Sequence, residues 1–100
     1  MSSPGQPIAA GASPNAPLGY QQISAVTLAS ATGFTLPTGT KVAVVVCEAA
    51  DVRWRDDGTA PTASVGMYLA AKTYFSFAAN LAKVQFIAVS GSPILNVSYY

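Results

Sequence analysis

Residues 41–58 read Lys41-Val42-Ala43-Val44-Val45-Val46-Cys47-Glu48-Ala49-Ala50-Asp51-Val52-Arg53-Trp54-Arg55-Asp56-Asp57-Gly58, with two β signatures side by side. In the first half, Val42, Val44 and Val46 alternate with Ala43, Val45 and Cys47, so both faces of an extended segment are apolar. β-Branched residues suit a pleated surface better than a helix, and a run apolar on both faces is expected as a central strand covered on both sides. In the second half the alternation is amphipathic. Val52 and Trp54 share one face, Arg53 and Arg55 the other, and Asp57-Gly58 then turns the chain.

Outward from this stretch, short β-branched or aromatic runs are cut by Gly, Pro and Asn at spacings of about eight to twelve residues, the pattern of a sandwich or barrel. Strands are expected at Gln21–Leu28, Phe34–Leu36, Lys41–Glu48, Asp51–Arg55, Val65–Leu69, Tyr74–Phe77, Val84–Val89 and Ile94–Tyr99. Turns are expected at Ala31–Gly33, Pro37–Gly39, Asp56–Gly58, Ala79–Asn80 and Ser90–Pro93. Period-2 alternation groups Val65 with Met67 and Leu69, and Leu95 with Val97 and Tyr99. Ile23, Val26 and Leu28 also fit a short helix, but β-branched Val26 and Thr27 and the nearby Gly33 favour strand. No repeat occurs at a solenoid or propeller period. The expected fold is all-β: an antiparallel β-sandwich, jelly-roll-like, of about seven or eight strands over residues 18–100.

Residues 1–17 hold four of the seven prolines and no charge. Proline removes ladder donors and fixes φ, so this segment is expected as an extended N-terminal arm with no helix or sheet of its own. It reads either as a disordered tail or as an arm lying along a neighbouring subunit.

A chain of 100 residues has room for one core. Only 9% of residues are charged, against about 25% in an ordinary soluble domain. A small surface so short of charge favours burial against partners, copies of itself included. Five cations against four carboxylates cannot neutralise the roughly six to ten phosphates of a nucleic-acid footprint, so nucleic acid is not an expected partner. Neither a signal-peptide pattern nor an uninterrupted apolar run of membrane-spanning length is visible, so no membrane partner is expected. The single cysteine, Cys47, is expected as a buried, inert thiol and precludes an intrachain disulfide.

The chain has no histidine, which removes the usual general base and the commonest zinc ligand. The adjacent pair Asp56-Asp57 sits on a Gly-ended turn, where neighbouring carboxylates point apart into water. With Asp51 it does not match a calcium loop, and the glycines form no phosphate-cradling motif. No catalytic residue, cofactor or metal is therefore expected, and the chain reads as a structural module.

Six of the nine charges fall in the eleven residues Glu48–Gly58. In one reading Arg53 and Arg55 face carboxylates of another subunit, Trp54 anchors the core, and Asp57-Gly58 turns the chain. In the other the arginines pair with Asp51, Asp56 or Glu48 of the same chain. Candidate interface residues are thus Arg53, Trp54, Arg55, Asp56 and Asp57, joined by the terminal pair Tyr99 and Tyr100. The aromatics Tyr68, Tyr74, Phe75, Phe77, Tyr99 and Tyr100 could instead form a sugar-stacking platform, with Asn80 and Asn96 as the available amides.

The string Val52-Arg53-Trp54-Arg55-Asp56-Asp57-Gly58-Thr59-Ala60-Pro61-Thr62-Ala63, followed by Gly66-Met67 and the closing Leu95-Asn96-Val97-Ser98-Tyr99-Tyr100, resembles small virion proteins of tailed bacteriophages. The resemblance covers roughly residues 20–100. It implies a capsid cement or decoration protein, made in the host cytoplasm and placed on the capsid exterior. Its partners would be the major capsid protein and copies of itself, as a trimer. A tail or head-to-tail connector component and a carbohydrate-binding β-sandwich are the alternatives.

Overall fold

The computed structural model describes residues 16–100, so residues 1–15 of the expected arm lie outside the described residues. The strands are β1 (Gly19–Ile23), β2 (Thr32–Gly33), β3 (Ala43–Glu48), β4 (Val52–Arg55), β5 (Met67–Leu69), β6 (Tyr74–Phe77), β7 (Gln85–Ala88) and β8 (Ile94–Tyr99). They form two four-stranded antiparallel sheets, ordered β1-β8-β3-β6 and β2-β7-β4-β5.

That order has a simple origin. β1 pairs with β8, β2 with β7, β3 with β6 and β4 with β5, as in one long antiparallel ribbon bent at the β4–β5 link. Rolling the ribbon adds the contacts β3 with β8 and β4 with β7, and the successive rungs fall alternately on the two sheets. This is a jelly roll, and the all-β sandwich expected from the runs of alternation is the fold.

The space between the sheets is filled from both sides. Ile23, Ala43, Val45, Cys47, Phe77, Leu95, Val97 and Tyr99 face inward from the first sheet, and Val52, Leu69 and Phe86 from the second, all buried. Leu28 and Leu81, on single 3-10 turns, and Val84 close the ends. Phe34 sits edge-on to Phe77, Phe86 and Tyr99 at centroid separations of 5.9, 5.4 and 5.8 Å, a favoured geometry for ring quadrupoles. Among the described residues no helix is long and apolar enough to cross a membrane.

Four expectations need correction. The strand expected over Gln21–Leu28 stops at Ile23, where the Ser24 carbonyl accepts the Leu28 N–H at 3.0 Å and a 3-10 turn follows. Leu28 is buried there and Val26 is exposed, so half of the helical alternative holds. Phe34–Leu36 is not a strand; the strand is Thr32–Gly33, inside the expected turn. Gly33 permits this because a Cβ at that position would lie 3.2 Å from the Val84 carbonyl oxygen. Finally, β3 is central by pairing but among the described residues is covered on one face only: Val46 remains 39% exposed on the other.

The core predicts its own sensitivity. Phe86→Ala, at a fully buried site touching the ring cluster, is expected to cost about 3–5 kcal/mol, read as a lowered urea midpoint with an unchanged slope.

Candidate interface surfaces

β4 and the loops around it position the charged segment. The turn between β3 and β4 is tight: Ala49 takes a positive φ of 72°, and the Ala50 N–H reaches the Glu48 carbonyl at 2.8 Å. Asp51 then ties this turn to the β5–β6 link, accepting the Ala71 N–H at 2.7 Å and the Tyr68 hydroxyl. These donors stabilise its charged form and hold its carboxyl below the usual range, the Tyr68 bond contributing most.

Beyond Asp51, Arg53 and Arg55 lie on the outward face of the second sheet, opposite in phase to Val52 and Trp54. Both guanidinium groups are engaged within the chain. Arg53 lies over the Tyr68 ring, 5.1 Å from its centroid, and donates to the carbonyls of Ala63 at 3.2 Å and Gly66 at 2.9 Å. Arg55 forms a two-pronged pair with Asp57, Nε to Oδ1 at 3.1 Å and Nη2 to Oδ2 at 2.5 Å. Asp57 also accepts the Thr59 N–H at 3.2 Å, so it both turns the chain and neutralises Arg55. The Arg55 bond is the main reason its carboxyl is held below the ordinary range. Within the chain, then, Asp57 is the partner of Arg55, and backbone carbonyls are those of Arg53.

Gly66 completes this arrangement. Its φ is +145°, and a Cβ there would lie 3.1 Å from the Arg53 Cβ and from the Trp54 carbonyl oxygen. The 59–66 loop folds back onto β4 because nothing larger than hydrogen stands between them. A cleft of about 240 Å³ opens beside it, with Val65, Gly66 and Met67 on one side and Arg55, Asp56 and Asp57 on the other.

Trp54 points inward, half-buried, with its ring 4.8 Å from Phe77 and 5.5 Å from Phe75. The terminal tyrosines separate. Tyr99 is 1% exposed within the core, and its hydroxyl donates to Gln21, so the expectation that it reaches a partner is corrected. Strand alternation turns it inward and leaves its neighbour Tyr100 outside, 38% exposed. A joint sugar-stacking platform is likewise not assembled. Phe77 and Tyr99 are buried, Tyr68 lies on the outer face of one sheet, and Tyr74 lies on the outer face of the other.

Two surfaces, one neutral and one apolar, were not read from the sequence. On the outer face of the first sheet, Tyr20, Gln22, Asn96, Ser98, Val44, Val46, Tyr74 and Ser76 form adjacent rows with Glu48 as the only ionised side chain. Asn96 there accepts from the Tyr20 hydroxyl and from Gln22 at 3.1 Å. At the side of the sandwich between β5 and β6, Val65, Met67 and Phe75 are 53%, 58% and 44% exposed around the edge of Trp54. The signal for this seam was the aromatic run Tyr74-Phe75-Ser76-Phe77, and pairing alone reveals it as an edge.

Cys47 is buried, and its thiol faces the Ala50 carbonyl at 3.1 Å. Burial, aided by Asp51 and Glu48, pushes its pKa up to about 11. No group of three His, Cys, Asp or Glu side chains able to hold a metal ion occurs among the described residues. Comparison with protein families, with curated proteins and with solved structures finds no match to the chain.

Two outcomes are expected. Arg53→Lys keeps the charge but loses the planar fork; losing one charge-assisted bond, about 1.5 kcal/mol, should speed amide exchange across residues 62–66 about tenfold. The Cys47 thiol should resist thiol reagents in the native protein at pH 8 and react once unfolded. Since the unfolded thiol ionises near 9 and the folded one near 11, its stabilising contribution is complete below pH 9 and lost as pH rises towards 11, a trend that Cys47→Ala should weaken in urea titrations.

Proposed function

We propose that this chain is a structural protein of a bacteriophage particle, a cement or decoration protein on the capsid exterior that bridges shell subunits and copies of itself. The observation that carries the reading is the outer face of the first sheet: rows of Tyr, Val, Ser, Asn and Gln side chains with one charge, Glu48. A face of this kind loses little charge hydration when covered, so it suits a broad, permanent contact better than a small-molecule pocket. The resemblance of the segment 52–63 and of the closing strand to small virion proteins supports the setting. Such a protein needs no reaction chemistry. It stabilises by mass action, because whatever binds only the closed shell raises the free energy needed to open it.

The test is the copy number of the chain relative to the major shell protein in purified particles, by quantitative mass spectrometry. A ratio of unity or a simple fraction is expected. A ratio below about one to ten would transfer the proposal to a tail or head-to-tail component, and absence from particles would overturn the virion reading.

A further inference from the structure

The two open sides of the sandwich are finished differently. On the β1–β2 side the segment after β2 closes the gap. Thr35 donates its N–H to the Gln21 side chain at 3.0 Å, Gln21 returns a bond to the Thr35 hydroxyl at 3.2 Å, and Phe34 plugs the core. On the β5–β6 side no segment of the described residues does this. Val65, Met67 and Phe75 stay exposed along the lip, with Trp54 behind them.

Among the described residues β6 is also an edge strand. The Cys47 N–H donates to the Thr73 carbonyl at 2.9 Å, and Val45 and Ala43 lie opposite Phe75 and Phe77. Antiparallel alternation therefore turns the main-chain groups of Thr73, Phe75 and Phe77 toward β3, and those of Tyr74 and Ser76 away from the sheet. Edge strands that must stay unpaired carry charge, proline or a bulge. Tyr74-Phe75-Ser76-Phe77 has neither charge nor proline, with Phe75 and Phe77 on its inner face and Tyr74 and Ser76 on its outer one.

The chain itself contains a segment whose sequence suits that edge. Within residues 1–17 the longest stretch free of proline is Ile8-Ala9-Ala10-Gly11-Ala12-Ser13. It keeps every backbone N–H, carries no charge, and has small side chains apart from Ile8, the only β-branched residue of the arm. The ten residues from Leu18 back to Ile8 reach about 33 Å when extended. The arm leaves from β1, the edge opposite β6 in the same sheet, a distance of three strand spacings or about 14 Å.

We propose that residues 8–13 of one copy add as a strand to the free edge of β6 in the next copy, with Ile8 seated in the seam between Met67 and Phe75. Donor and acceptor lie on opposite edges, so the contact is head-to-tail. Repeated from copy to copy, a head-to-tail contact whose rotation closes gives a ring of three or more copies. The proposal takes from the functional reading only that the chain assembles with itself.

The experiment is the mass of the purified full chain by light scattering after gel filtration. Wild type is expected at three or more times the 10.2 kDa protomer. Deletion of residues 2–13, Ile8→Asp, and Ser76→Pro, which removes an N–H that points away from β3, should each give monomers with unchanged near-ultraviolet circular dichroism. Mixing the deletion, which keeps its edge, with Ser76→Pro, which keeps its arm, should restore a one-to-one pair. A monomeric wild type, a ring that survives the deletion or Ile8→Asp, or a mixture that does not associate would each overturn the proposal. Should Ser76→Pro fail to fold, the two arm variants decide, since neither changes a residue of the eight strands. A monomer abundant in particles would sink the ring and leave the cement reading standing; a ring absent from particles would do the reverse.

Discussion

Phe77 is where the two sheets are joined. From β6 in the first sheet its ring meets Trp54 and Phe86 of the second at 4.8 and 5.5 Å, with Phe34 completing the group at 5.9 Å. Aromatic side chains bury the largest area per residue, and their edge-to-face contacts add to area burial alone. The cost of this anchor falls on its neighbour. Period 2 along β6 puts Phe75 on the same face as Phe77, two residues nearer the lip, so the ring that continues the core also emerges from it at 44% exposed. The apolar seam is thus a direct extension of the core packing.

The scarce charges are concentrated where the ribbon bends. Asp51, Arg53, Arg55 and Asp57 each bind within the β4–β5 region, to Ala71 and Tyr68, to Ala63 and Gly66, or to one another. The loop of residues 56–66 has no regular structure, and a jelly roll needs its tip held if β5 is to find β4. Backbone carbonyls and one carboxylate pair serve that purpose for Arg53 and Arg55. With its charges drawn to one end, the opposite sheet face is left neutral.

Long elements were legible because alternation is a local property. Asp51–Arg55, Tyr74–Phe77 and Ile94–Tyr99 match their strands within a residue, and the inward phase of Val52, Leu95, Val97 and Tyr99 follows from period 2. β2 was not legible, because two residues carry no periodicity and Thr32-Gly33 is extended only through pairing with Gln85 and Phe86. The candidate site was legible as a cluster and misread in part. Spacing correctly separates Arg53 and Arg55 from Trp54, but whether a guanidinium finds a carboxylate two residues on or in another chain depends on loop closure. Tyr99 and Tyr100 look alike in sequence, and only the alternation of β8 sends one into the core and the other outward. Edges are the hardest feature to read, since a strand becomes an edge through the order of its neighbours.

A jelly roll does not by itself specify a task, since lectins, enzymes and shell proteins share it. What separates these possibilities is how the surface is finished. A monomer in solution protects its strand edges and keeps enough charge to hold copies apart; this chain has a net charge of +1 and, among the described residues, an uncharged β6 edge with no strand beside it. Of its few charged groups Arg55 and Asp57 neutralise each other at the β4–β5 tip, which lowers the long-range repulsion further. Neutral sheet face, open seam and unguarded edge all become favourable only when covered. A contact that covers them would turn the liabilities of the isolated domain into the adhesive of an assembly, which is the physical basis for reading the molecule as a building element.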